Sequence, residues 1–212
     1  MTTPTQTPKD ILGHPQGLFY LFFAELWERF SFYGMRALLT LYMVNKIFEA
    51  LSTRDVAAAA VYASYGSLVY ASTVIGGKIS DTTLGLRRSI FLGGILMSLG
   101  HFVLAVDNTY AFYLALGLIV VGNGFFKPNI STLVGNLYNT DALKNKKDSG
   151  FNIFYMGITV GAFICNFVAA YMRINYGWGH AFAAAGVGML IGVVIFLIGM
   201  PHIKHVDQVK PL

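Results

Sequence analysis

Residues 24–36 read AELWERFSFYGMR, between LFYLFF at 18–23 and ALLTLYMV at 37–44. The flanks are apolar enough to lie in lipid, yet Glu25, Glu28, Arg29 and Arg36 stand between them. A charge at mid-bilayer costs about 2.5–3.5 kcal/mol on the insertion scale, so four of them must be paired, hydrated or used. On a helix turning about 100° per residue, with Glu25 at zero, Arg36 falls at about 20°, Arg29 at about 40°, Tyr33 at about 80° and Glu28 at about −60°. The charges and the tyrosine therefore share one face. Glu25 and Arg29 are also i,i+4 neighbours with the acid first, the better order for pairing. The other side, with Leu26, Phe30, Leu38 and Leu41, suits lipid or packing. A polar stripe of this kind is expected to face a bundle interior or a water-filled cavity.

The composition agrees. Of 212 residues, 55% are hydrophobic and 12% charged, with a mean hydropathy of +0.58, whereas soluble domains carry about 25% charge. Six apolar stretches are long enough to cross a bilayer at about 20 residues per span: roughly 16–44, 56–80, 89–106, 111–137, 150–172 and 180–200. The expected fold is all-α, a six-helix transmembrane bundle. Residues 1–15 form a polar tail before it, and residues 201–212 form a polar tail or the start of a linker. Lys9, Lys78, Arg87, Arg88, Lys144, Lys146, Lys147, Lys204 and Lys210 fall on the side of both termini, against Lys46, Arg54 and Arg173 on the other. That asymmetry places both termini in the cytoplasm and accounts for the net charge of +5 without nucleic acid. The opening MTTPTQTPKDILGHPQG has no apolar core of a cleavable signal, so the first span is expected to insert itself.

Several residues invite a function and are better read as structure. Glycines recur through the spans, Gly76, Gly93, Gly122, Gly124, Gly161 and Gly188 among them, as in close helix–helix packing. Pro128 is expected to bend the fourth span. His101, on an apolar stretch, is expected to be a hydrogen-bonded structural residue. Asn129-Ile-Ser131 matches a glycosylation pattern that a membrane location empties. A lone cysteine, Cys165, excludes a disulfide framework and Cys-based metal ligation. Without HExxH, GxSxG or paired intramembrane aspartates, an intramembrane enzyme has no support. No cofactor is expected.

The motifs together resemble the proton-dependent oligopeptide transporter family of the major facilitator superfamily. Glu25-Leu-Trp-Glu28-Arg29-Phe30 resembles the family's ExxERF motif and continues into Phe32-Tyr33-Gly34-Met35-Arg36. GGKISDTTLGLRR at 76–88 resembles the superfamily loop after the second helix, FFKPNIS at 125–131 the lysine-bearing fourth helix, and FNIFYMGITVGAF at 151–163 the second family motif. The resemblance implies the N-terminal half of a transporter that binds substrate between two six-helix halves. It implies proton coupling at Glu25, Glu28 and Arg29. Substrate contacts are implied at Arg36, Lys127, Tyr33, Tyr70 and Thr159. Asp81, Gly85, Arg87 and Arg88 become a gating loop, with Asp81 pairing to a neighbouring helix.

The expected partners are a di- or tripeptide, the bilayer of a bacterial inner (plasma) membrane, and a C-terminal six-helix half or a second copy. Two positions depart from the family pattern. Thr159 replaces a common asparagine with a shorter hydroxyl, and Phe32 lacks a hydroxyl that many members carry. A half with its charged face uncovered is expected to expose Glu25, Glu28, Arg29, Arg36 and Lys127 to a vestibule or a partner. A relative that moves another small solute such as nitrate, and an oligomeric assembly module without transport, are the alternative readings.

Overall fold

The computed structural model describes residues 10–207; Lys9 and Lys210, used above for orientation, lie outside them. A two-stranded hairpin, β1 (Asp10–Ile11) and β2 (His14–Pro15), leads into six long helices. These are α1 (Gln16–Tyr42), α2 (Arg54–Ile79), α3 (Leu86–Leu104), α4 (Thr109–Leu137), α5 (Lys147–Tyr176) and α6 (Trp178–Ile203). Single π-helical turns extend α1 over Met43–Ile47 and α2 over Ser80–Leu84.

Four segments are long and apolar enough to cross a membrane: Arg54–Leu84, Thr109–Leu137, Lys144–Tyr176 and Trp178–Val206. The other two expected spans are helices that fall short of that standard for readable reasons. α1 carries the four charges between its apolar flanks. α3 has 19 residues and opens on Leu86-Arg87-Arg88. Helices α5 and α6 run several residues past the apolar stretches, because helix geometry continues into the polar interface where hydropathy has already ended.

The helices pack as two sets. α1 lies against α5 and α6, and α4 lies between α2 and α3. α3 and α6 join the sets along one side, while α1 with α2 and α4 with α5 scarcely touch. The bundle is therefore closed along one side and open as a cleft along the other. Helix α1 is central rather than lipid-facing: Leu18, Leu21, Ala24, Phe30, Phe32, Met35, Leu38 and Leu39 are all buried. Of the side expected to suit lipid or packing, Phe30 and Leu38 are buried, Leu26 is partly buried and Leu41 is exposed. At one end Tyr42 closes the core, its ring against Phe112, Trp178 and Phe182 and its hydroxyl donating to Asp107 Oδ1 at 3.2 Å.

Pro128 does not interrupt α4, which is α-helical from Thr109 to Leu137. Proline removes the N–H that would bond the carbonyl four residues back, at Gly124. That carbonyl faces α2 where a Cβ on Gly76 would run into it, so two glycines let the backbones meet at the freed oxygen. His101 is fully buried with Nδ1 2.6 Å from Met97 O, and Asn129 is buried and donates to Phe125 O at 2.6 Å, so neither is open to modification.

Candidate functional site: a buried carboxylate–arginine cluster beside an open cleft

The charged residues of α1 divide into two groups. Glu25, Glu28 and Arg29 are buried, at 2%, 0% and 2% exposure. Arg29 Nε lies 3.0 Å from Glu25 Oε1 and in contact with Glu28 Oε2. Neither contact has the N–H alignment of a hydrogen bond, and Glu25 Oε2, Glu28 Oε1 and Arg29 Nη2 have no hydrogen-bond partner among the described residues. α5 closes over the cluster because Gly161 has no side chain there: a Cβ would meet Leu26 O and stand 3.2 Å from Arg29 Cβ. The expectation of an uncovered cluster is thus corrected. These three side chains lie behind the wall of the cleft rather than on its surface.

Arg36, Tyr33 and Lys127 lie on the wall itself. Arg29, Phe32, Tyr33, Arg36, Tyr65, Tyr70 and Lys127 line a recess of about 20 Å³ between α1, α2 and α4. That holds about one water, not a peptide. It adjoins a wider cleft of about 350 Å³ bounded by Tyr33, Arg36, Tyr62, Ala162 and Asn166. Arg36 and Tyr33 line both, so the buried cluster and the open cleft communicate through them. Arg36 Nε donates to Tyr62 OH at 2.5 Å, with its guanidinium 5.1 Å from the ring centroid. Lys127 Nζ lies 5.3 Å from the Tyr70 ring, and the Arg29 guanidinium 5.5 Å from Phe32 and 5.8 Å from Tyr33. Each cation near the cleft is thus steadied by an aromatic face, an attraction that leaves its remaining donors free.

The structure does not bring Thr159 to this lining. It is exposed on α5 and donates to Tyr155 O at 3.3 Å, while Asn166, two turns further along the same face, reaches the cleft. Tyr62, Tyr65 and Asn166 escaped the sequence reading. Tyr62 and Tyr70 stand eight residues apart, about 80° on a helix, a spacing that would have put both on one face of α2.

The loop at 80–88 is held differently from the expectation. Asp81 is exposed and has no ion pair among the described residues. Asp207, just past α6, takes the structural part instead. Its Oδ1 accepts from the first free N–H groups of α3, Leu86 at 2.9 Å and Arg87 at 3.4 Å, and Oδ2 pairs with Arg87 Nε at 2.6 Å. Gly85, at φ 78°, turns the chain into that cap, and Arg88 is exposed. Asp207→Ala removes cap and ion pair together and is expected to cost about 1–2 kcal/mol, read in a thermal melt of the detergent-solubilised protein. At the same end Tyr138 OH meets His14 Nδ1 at 2.7 Å, and Lys146 Nζ donates to Gly13 O at 2.9 Å. Burial, helped by the Asp10 carboxylate, pushes the Tyr138 hydroxyl up to about 12, so it stays a neutral donor.

A family model described as the POT family matches residues 87–211. The chain belongs to the POT family. The ExxERF stretch lies ahead of that match, within the alignments to individual relatives. The chain is 44% identical over 192 residues to an uncharacterized transporter, YclF, of Bacillus subtilis (strain 168), covering 90% of this chain and 39% of that protein. It is 39% identical over 218 residues to a di-/tripeptide transporter of Lactococcus lactis subsp. lactis (strain IL1403), covering 99% of this chain and 42% of the other. A crystal structure of peptide transporter POT in complex with sulfate superposes with a TM-score of 0.88 at 40% identity, covering 97% of this chain and 43% of that one. The chain thus spans about two fifths of the proteins it matches. POT proteins are secondary active transporters rather than enzymes, and this chain is an integral membrane protein.

Proposed function

We infer that this chain forms the N-terminal six-helix half of a proton-coupled di-/tripeptide symporter, with α1 to α6 all spanning the bilayer and the second half of the cleft supplied by another six helices. The observation that carries this is the juxtaposition of the buried Glu25–Arg29–Glu28 cluster with a cleft wall of Arg36, Lys127 and tyrosines. The likeness to a di-/tripeptide transporter supports the cargo.

The charges suggest how the two ligands are linked. With both carboxylates ionised, two negative groups stand against the three cations Arg29, Arg36 and Lys127. One positive charge is left for a peptide's carboxylate, which Arg36 can grip as a fork and Lys127 as a point charge. A proton on Glu25 or Glu28 frees Arg29 from one partner and adds a positive charge, so proton and carboxylate each favour the other's presence. Tyr33 and Tyr70 supply walls with a hydrogen-bonding end. Thr159 belongs to the substrate face only if that face extends along α5 beyond the present cleft. The 80–88 loop with Asp81, Gly85, Arg87 and Arg88 acts in gating, held from behind by Asp207. The excess of lysine and arginine around the hairpin, the 80–88 loop and the α4–α5 connection supports cytoplasmic termini. The bacterial relatives support a plasma membrane.

The test is uptake of a labelled dipeptide into proteoliposomes under an imposed proton gradient, with the remaining helices supplied. The Glu25→Gln and Glu28→Gln double variant is expected to bind peptide yet lose accumulation above equilibrium. Accumulation equal to the parent's would remove the coupling assignment.

A further inference from the structure

Away from the cleft, α5 and α6 diverge over α1 to leave a groove of about 440 Å³ that opens to the outside of the bundle. One wall is the α5 stripe Ile164, Val168 and Met172, the floor is Trp27 and Phe30, and Gly188 on α6 gives it depth by leaving room for the Phe30 ring. Its lining is apolar throughout. At bilayer depth such a groove is filled by hydrocarbon or by protein, since hydrogen-bonded water has no partners there.

The groove's end indicates which. Directly after Met172, the Arg173 guanidinium lies 4.3 Å from the centroid of Trp178, the first residue of α6. Arg173 has no carboxylate within 4.0 Å among the described residues, and its Nε is buried without a hydrogen-bond partner there. Tyr171 and Tyr176 are exposed at the same level, as aromatic residues are at a membrane–water interface. From Met172 to Ile164 the stripe runs roughly 12 Å along the helix, close to the roughly 15 Å of one leaflet's hydrocarbon. A cation at headgroup level above a one-leaflet apolar slot complements a molecule with an anionic phosphate and a hydrocarbon tail.

We propose that this groove is a phospholipid site in the leaflet opposite the lysine-rich loops, with one acyl chain lying between α5 and α6 on Trp27 and the phosphate on Arg173. A planar guanidinium held by a ring presents its remaining N–H donors in the geometry phosphate oxygens accept.

Within these 212 residues the tryptophans are Trp27 and Trp178, so Trp178→Phe in this six-helix chain leaves Trp27 as its one reporter, in the groove, while keeping a ring for Arg173. In nanodiscs of phosphatidylglycerol with acyl chains brominated along their length, Trp27 emission is expected to be strongly quenched. Val187→Phe, which places a ring in the groove, is expected to relieve most of that quenching. Arg173→Gln is expected to lower the phosphatidylglycerol retained after delipidation, counted by native mass spectrometry, by about tenfold, the equivalent of one charge-assisted hydrogen bond. An unquenched Trp27 would mean that a protein helix fills the groove, and the proposal fails. It fails equally if Val187→Phe leaves the quenching unchanged, or if Arg173→Gln retains lipid as the parent does.

Discussion

Arg29→Met, with Glu25 and Glu28 left in place, is expected to destabilise the bundle by about 3–5 kcal/mol, the usual cost of removing one partner from a buried ion cluster. Both carboxylates have side chains at or below 3% exposure, and Arg29 is the cation each of them contacts. Without it two acids face each other across less than a helical turn, both buried behind the cleft wall. The triple change Glu25→Gln, Glu28→Gln, Arg29→Met removes the whole set and is expected to recover most of the loss, because a buried ionic triad contributes little net stability over uncharged packing. An SDS titration followed by tryptophan fluorescence reads both. Equal midpoints for Arg29→Met and the parent would show that the carboxylates do not depend on Arg29. A triple variant that is stable yet inert in peptide uptake would place the cluster's value in coupling rather than in folding, which is what the cost of burying it requires.

The helices were legible because span length and hydropathy act over twenty residues at a time, and the shared face of Glu25, Arg29, Tyr33 and Arg36 was legible because helical geometry alone fixes it. What stands opposite a face is not a local property. Gly161, some 130 residues on, lets α5 close over Arg29, so a face that reads as one polar stripe is split into a buried cluster and a cleft wall. The same limit hid Tyr62 and Asn166, whose parts depend on how far α1 stands from α2 and α5. The Asp207 cap joins residues 120 positions apart. The hairpin before α1 was hidden for a local reason: its turn uses Leu12 at φ 53° before Gly13 at φ 76°, and leucine is not a residue that marks such a turn. The motif resemblance was specific because ExxERF, the loop after the second helix, the lysine of the fourth and the fifth-helix motif occur in order. Even so, it carried Thr159 to a lining the structure does not give it.

Gly76→Leu is expected to cost roughly 3 kcal/mol or more, at or beyond the upper end for overpacking, because the obstacle is backbone rather than a side chain that can turn away. A Cβ at residue 76 meets the Gly124 carbonyl and stands 2.9 Å from Phe125 N, and one at residue 124 would meet Ser72 O at 2.6 Å, so neither helix can yield alone. The freed carbonyl that Pro128 leaves at Gly124 would also lose its close neighbour. Gly117→Ala is the matched control: nothing lies within 4 Å of a Cβ there, and it is expected to be neutral or to gain the roughly 0.5–1 kcal/mol that alanine holds over glycine in a helix. The consequence reaches the cleft, because α2 carries Tyr62, Tyr65 and Tyr70 while α4 carries Lys127. Forcing the helices apart at residue 76 widens the 5.3 Å approach of Lys127 to the Tyr70 ring. Peptide affinity measured in the assembled transporter is therefore expected to fall in any Gly76→Leu protein that still folds. Affinity and unfolding midpoint both matching the Gly117→Ala control would show that the α2–α4 contact does not set the cleft wall.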